Sequence, residues 1–498
     1  MRTIDRRSLI KSGAVLAGGL AMGGPLQALA ARVAAGSPLD SPGYGELIPM
    51  GDLALPAGFE YAVIARQGHP MSDGHPSPST FDGMAAFPGA DGTTILLRNH
   101  ENKSRNARLF ANEIPVVVPN ELRYNKTETL SDPATGQQVS AFHGGVTRMV
   151  VSEHEVIDSR AVLGGTIFNC AGGRTPWGSW ITCEEQYHTY ASPDGTSTKH
   201  GYIFEVDAYA TGPVEASPIR RAGRFDHEAV AWHNGYLYET EDNNQLNAFY
   251  RYDPAMTIAR AGHLADSAGT LQGLRFVDYP GANTAVGWPL GEARRVEWVT
   301  VDNPEPATNS GAVTTPLLDR GIRFQAWAKG AAQFRRTEGC WEADGKIYFD
   351  CTTGGRPVDG TTNGSGQIWQ LDPAAAMLTL VFEVPPALPG QSLDLERPDN
   401  LAMGPVGNLY LCEDRGLRDF PFVRGLTPDG RIFDFARAQA TKSEFCGACF
   451  DPKGLTLYVN QQGDPLEPST SVTYAIWGPW KRRGDPHQKI IESSSRMP

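Results

Sequence analysis

Five acids open successive copies of one short pattern, and a cysteine opens what reads as a sixth. The copies are FDGMAAFPGADGTTILLRNHE (81–101), DHEAVAWHNGYLYETEDNN (226–244), TEGCWEADGKIYFDCTTGG (337–355), RPDNLAMGPVGNLYLCEDRG (397–416) and EFCGACFDPKGLTLYVNQQGD (444–464). The stretch NCAGGRTPWGSWITCEE (169–185) fits the same plan. Asp82, Glu228, Glu338, Asp399 and Glu444 occupy the opening place. Any one of them alone reads as a turn or capping residue. As a set brought to one spot they would repel each other unless a cation sat among them. A hard cation with oxygen ligands, such as Ca²⁺, is the natural occupant.

The elements that must position these acids follow from the same pattern. Each copy runs from its acid through small apolar residues to a Gly turn and an aromatic strand ending in polar residues. Short alternating runs follow at 201–207, 247–254, 366–373 and 430–436, as expected of half-buried strands. A unit of a few antiparallel strands recurring about six times predicts an all-β fold, a six-bladed β-propeller with long loop insertions. A pair of β-sandwiches is the alternative. In a propeller the innermost strands run along the central channel, so the opening acids would meet at one mouth and form a metal cluster there. Segments 102–140, 255–335 and 374–396, rich in Pro, Gly, Asn and Thr, read as irregular insertions.

Composition agrees with many short strands. The 498 residues include 55 Gly and 37 Pro, and 40% are hydrophobic. A net charge of −12 excludes a nucleic-acid partner. Arg6-Arg7 ahead of a Gly/Ala-rich apolar run, closed by Ala28-Leu29-Ala30, reads as a twin-arginine (Tat) signal peptide over residues 1–30. Residues 31–498 then form one propeller domain with no membrane span, exported by the Tat machinery as a periplasmic or extracellular monomer. Seven cysteines leave at least one unpaired. Cys446 and Cys449 have redox spacing but open a strand rather than a helix, so a redox role is not expected. Cys183, Cys340, Cys351 and Cys412 read as small core residues. Arg336, two residues before Glu338, is placed either to orient an anionic oxygen such as phosphate or to form a surface ion pair. His100 and His227 read as structural. No Gly-rich phosphate loop, GxSxG elbow or HExxH helix is present.

NCAGGRTPWGSWITCEE, GRFDHEA, RRTEG, RPDNLA and LYVNQQGDP, behind a twin arginine, resemble the PhoX-type alkaline phosphatase family over about residues 45–480. The resemblance implies a six-bladed propeller that hydrolyses phosphate monoesters with two Fe³⁺ and up to three Ca²⁺ in its channel. It implies that Cys170 is the iron-ligating thiolate and that Glu185 or its neighbour Glu184 is a carboxylate ligand. Glu228, Glu338 and Asp399 match metal-binding carboxylates, and Glu101 and Glu444 are weaker matches. Arg336 and Asn400 match groups that hold the substrate phosphate. The chain departs in having Thr337 where family members typically carry proline, and it is shorter than the well-known phosphatases. Two other functions fit the acid ring: a Ca²⁺-dependent lactonase-like hydrolase, for which a thiolate has no use, and a non-catalytic ligand-binding propeller with structural metals.

Overall fold

In the computed structural model, the described residues are 42–103, 113–126, 129–131, 138–140, 142–191, 197–243, 246–357, 363–385, 393–463 and 470–480. The expected signal peptide at 1–30 lies outside them. The fold is all-β and propeller-like, and the longest α-helix among the described residues is Ile322–Ala328. None is long and apolar enough to cross a membrane.

Six strands line the centre, each taken from one copy of the repeated pattern. They are Phe81–Pro88, Asn169–Arg174, His227–His233, Thr337–Ala343, Pro398–Met403 and Phe445–Phe450. Each packs against the next in chain order, and the last returns to the first. Outward from each run antiparallel partners, as in the sheet Phe81–Pro88, Thr94–His100, Gly144–Ser152, Glu155–Thr166. The ring closes without a covalent link. The early strand Glu60–Arg66 pairs with Val472–Trp477 as the outer edge of the final sheet, with Glu60 opposite Trp477 and Arg66 opposite Val472. Two further early strands, Leu47–Pro49 and Leu53–Pro56, extend the sheet before it.

Apolar faces of neighbouring sheets supply the core. Phe349 stacks on Phe249 at 4.3 Å and lies parallel to Trp369 at 6.2 Å, all three fully buried. Burial of side chains this size stabilises by roughly 1.5–3 kcal/mol each.

Two of the expected insertions are more regular than their composition suggests. Segment 255–335 holds the strands Thr270–Phe276 and Ala293–Thr300, and segment 374–396 holds Met377–Glu383. Ala293–Thr300 pairs with Met377–Glu383 and fuses two sheets into one of nine strands. The reason is an apolar run with strand spacing: in TLQGLRF, Leu271, Leu274 and Phe276 are buried, while Gln272 and Arg275 between them are half-buried. Pro- and Gly-rich flanks obscure that run.

Candidate metal centre

A repeated irregularity in the inner strands aims the functional side chains. Phe81 pairs with His100 but Met84 with Arg98, so two inner residues oppose one partner residue. The same slip separates Asn169 from Gly172, His227 from Val230, Thr337 from Cys340 and Pro398 from Leu401. Such a bulge turns a side chain out of the ladder. The first bulged residues are Asp82, Cys170, Glu228, Glu338 and Asp399, and all five line one bowl of about 540 Å³. These four acids therefore sit inside the strands, at their bulges. Glu444, expected at the same place, stands one residue before its strand, at the position held by Thr80, Phe168 and Arg336 in other copies.

A second set comes from the residue after each second strand. The backbone N–H of Glu101 donates to Thr80 O, Glu185 to Phe168 O, Asp242 to Asp226 O, Thr352 to Arg336 O, Asp414 to Arg397 O and Gln462 to Glu444 O, at 2.9–3.1 Å. This bond recurs in all six copies and brings Glu101, Glu185, Asp242, Asp414 and Gln462 into the bowl. Its acceptors Thr80, Phe168, Arg336 and Arg397 have φ of 49°, 50°, 52° and 54°. Left-handed backbone at a residue with a side chain costs about 1–2 kcal/mol, so the repeated bond holds a strained approach in place.

Ten carboxylates face the bowl (Asp82, Glu101, Glu185, Asp226, Glu228, Asp242, Glu338, Asp399, Asp414, Glu444) with Lys103 and Arg336 as the cations among them. Burial, then Glu338 and Glu185, push the Glu228 carboxyl well above its usual range. Burial followed by Asp242 does the same to Glu185 and Glu338, and burial followed by Glu101 to Asp82. Asp399 is pushed up to about 7 by burial and by Asp414. The Cys170 thiol is raised by burial and by Glu228. Groups this crowded ionise together only around cations.

The donors fit such ions. Ligand atoms of Cys170, Glu185 and Glu228 lie within 4.8 Å of one another, as do those of Asp82, Glu101 and Glu444, of Glu228, Glu338 and Asp399, and of Asp399, Asp414 and Glu444. The first set, with a sulfur, suits a transition metal; the other three, all oxygen, suit a hard cation. Glu228, Asp399 and Glu444 each belong to two sets, so the four positions form one linked cluster.

Of the residues expected from the sequence, Cys170, Glu185, Glu228, Glu338, Asp399, Glu101, Glu444 and Arg336 meet in the bowl. Arg336 is clamped, with Nε and Nη2 donating to Asp242 Oδ2 at 2.9 and 2.7 Å and Nη2 lying 2.8 Å from Glu338 Oε1. Glu184 does not join them. It is fully buried, with His200 Nδ1 2.7 Å from Oε1 and the Gly201 N–H donating to Oε2. Strand alternation sends these neighbours to opposite sides, so Glu184 braces the sheet. Asn400 also stays out of the bowl and faces a narrow waist beneath it, a space of about 20 Å³. Asp242, Asp414 and Lys103 were not among the expected residues. Tyr238 to Asp242 and Tyr410 to Asp414 share a spacing of four, which was the available signal. The other ends of the inner strands open on a cavity of about 760 Å³ lined by Trp177, Trp232, Trp341 and Arg174.

The family model for alkaline phosphatase PhoX matches residues 43–464. The fold is similar to that of Pseudomonas fluorescens PhoX in complex with vanadate, a transition-state analogue, with a TM-score of 0.61 and 19% identity over 87% of this chain and 97% of that one. A protein of unknown function from Dyadobacter fermentans aligns with a TM-score of 0.39 and 9% identity, over 85% of this chain and 100% of that one. No curated protein matches in sequence. The chain belongs to the alkaline phosphatase PhoX family.

Proposed function

We propose that the acidic bowl is where this phosphate monoester hydrolase works, with its own residues dividing the tasks of cation binding and phosphate grip. The observation that carries the reading is the overlap of four cation-sized donor sets around a clamped Arg336. Cys170, Glu185 and Glu228 would hold iron, and the three all-oxygen sets would hold Ca²⁺ or a second iron, four positions for the two Fe³⁺ and up to three Ca²⁺ that the resemblance implies. Bound there, the cations supply the positive charge that neutralises a phosphate and polarises its oxygens.

The chain supplies orientation. Arg336 loses little freedom on meeting substrate because Asp242 and Glu338 already fix its guanidinium plane through Nε and Nη2, which leaves Nη1 to donate to a phosphoryl oxygen. It would stabilise charge on the equatorial oxygens during in-line attack. Lys103, paired with Glu101 at 3.0 Å, gives the bowl a second cation that favours entry of a dianion. Phe168 and Tyr187, both half-buried in the lining, offer apolar surface to the organic half of the ester.

The six-membered ring of inner strands supports a count of six blades in one domain over residues 31–498. The twin-arginine leader supports export to the periplasm or beyond. The test is hydrolysis of p-nitrophenyl phosphate by the purified full chain, with Arg336→Ala beside it. Activity that chelation removes and Arg336→Ala lowers is the expected result. Metal-loaded protein inert on phosphate monoesters would overturn the reading.

A further inference from the structure

We propose that Asn400 is a positioning residue that fixes the Asp399 carboxylate for the two cation positions flanking it, and that it does not touch substrate. The inference rests on the bowl being a cation centre. It starts from the residue that follows the bulged donor in five inner strands, Gly83, Ala171, Ala229, Gly339 and Asn400, and from Gly447, which follows Cys446 in the sixth. These six line the waist below the bowl.

Five of the six are Gly or Ala for a steric reason. A Cβ on Gly83 would lie 2.6 Å from Ala171 Cα, one on Gly339 2.7 Å from Asp399 O, and one on Gly447 2.4 Å from Asp82 O. At these three glycines the neighbouring strand approaches too closely for a side chain. Asn400 is the exception, and the strand beside it carries Gly339, where a Cβ would lie 3.2 Å from Asn400 Cα.

Both ends of the Asn400 amide are used, and they lie on different strands. Its Nδ2 donates to Asp399 Oδ1 at 2.7 Å, and its Oδ1 accepts from the Gly447 N–H at 2.7 Å. A backbone N–H can only donate and an ionised carboxylate can only accept, so the partners dictate which way the amide points. Asp399 is the carboxylate shared between the Glu228–Glu338 set and the Asp414–Glu444 set. A donor fixed on Oδ1 limits how that carboxylate can rotate and keeps it available to both sets. Asn400 is buried and lines the waist rather than the bowl where a phosphate would meet the acids.

Asn400→Asp tests this, because it keeps the size and the acceptor for Gly447 but sets a second carboxylate against Asp399. The full chain should lose cation affinity roughly 10–100-fold, the usual effect of removing a partner that orients a metal ligand. The readouts are metal per chain by elemental analysis after dialysis against graded Ca²⁺, and the KM for p-nitrophenyl phosphate at saturating Ca²⁺. Lowered metal retention with KM unchanged is the expected result. Wild-type metal retention, or full metal with a raised KM, would overturn the proposal. If Asn400→Asp fails to fold, Asn400→Ser carries the same two readouts. Metal retention needs no substrate, so a chain without phosphatase activity would sink the catalytic reading and still test this one.

Discussion

Cys170 and Cys446 hold the same place in two copies of the repeat, yet their surroundings differ. Each is fully buried, and each thiol donates to the carbonyl just before the next strand's bulged acid. Cys170 Sγ donates to His227 O at 3.2 Å and Cys446 Sγ to Phe81 O at 3.1 Å. Burial raises both thiols. The residue after the second strand separates them. Beside Cys170 it is Glu185, which completes a three-donor set with Glu228. In the other copy it is Gln462, whose Nε2 donates to Asp82 Oδ2 at 3.0 Å and Glu101 Oε2 at 2.5 Å. Among the described residues Cys446 joins no donor set. Cys446 also pairs with Asn460 in its ladder and does not line the bowl, so the same place in the repeat is not sufficient for a ligand. The neighbouring strand must present a second anionic donor, and a neutral amide there ties the acids together instead.

The largest expected effect comes from the acid that Cys170 shares. Glu228→Gln removes a donor from two sets at once, so activity on p-nitrophenyl phosphate should fall by more than about 100-fold, beyond the effect typical of an outer partner. Steady-state rates at matched metal loading check this. A smaller loss than that of Arg336→Ala would break the link between the thiol set and the chemistry.

The two glycines that let neighbouring strands approach should rank in a definite order. Gly83→Ala places a methyl against Ala171 Cα and Cys170 O, and overpacking of this kind costs about 1–3 kcal/mol. Gly447→Ala meets Asp82 O in the same way and adds left-handed backbone at φ 60°, about 1 kcal/mol more. Urea midpoints of the two variants should therefore place Gly447→Ala below Gly83→Ala. The reverse order would mean that the Cys446 copy is the looser of the two.

A subtler effect is the pH dependence of the cation-free protein. A carboxyl raised in the folded state keeps a proton that the unfolded chain has already released, so its stabilisation is complete below the unfolded value and is lost as pH rises. For Asp399 that window runs from the usual 3.8 up through about 7. In chelator the melting temperature should fall across this window, and saturating Ca²⁺ should remove the fall. A melting temperature that rises with pH in chelator would show that the acids are ionised without cations.

The repeat is legible in the sequence because each copy carries the same acid, Gly turn and aromatic strand at nearly constant spacing. The inner strand, however, is the small apolar run before the turn, holding Cys170, and the aromatic strand with Cys183 is the second. The sequence also reached Cys170, Glu228, Glu338 and Asp399, which the bulges aim at the bowl. It could not separate Glu184 from Glu185, since the choice depends on which neighbour leaves the ladder. Asp242 and Asp414 escaped because only the bond from each back to the start of its own copy, to Asp226 O and Arg397 O, brings them round. Asn400 matched a family motif, but its role depends on Gly447 of another strand, a contact that residue spacing does not reveal.

The most direct measurement is elemental analysis of the purified full chain beside Cys170→Ser and Cys446→Ser. The account predicts iron and calcium in the wild type, iron retained in Cys446→Ser and iron lost in Cys170→Ser with calcium still bound. Iron retained undiminished in Cys170→Ser would contradict it.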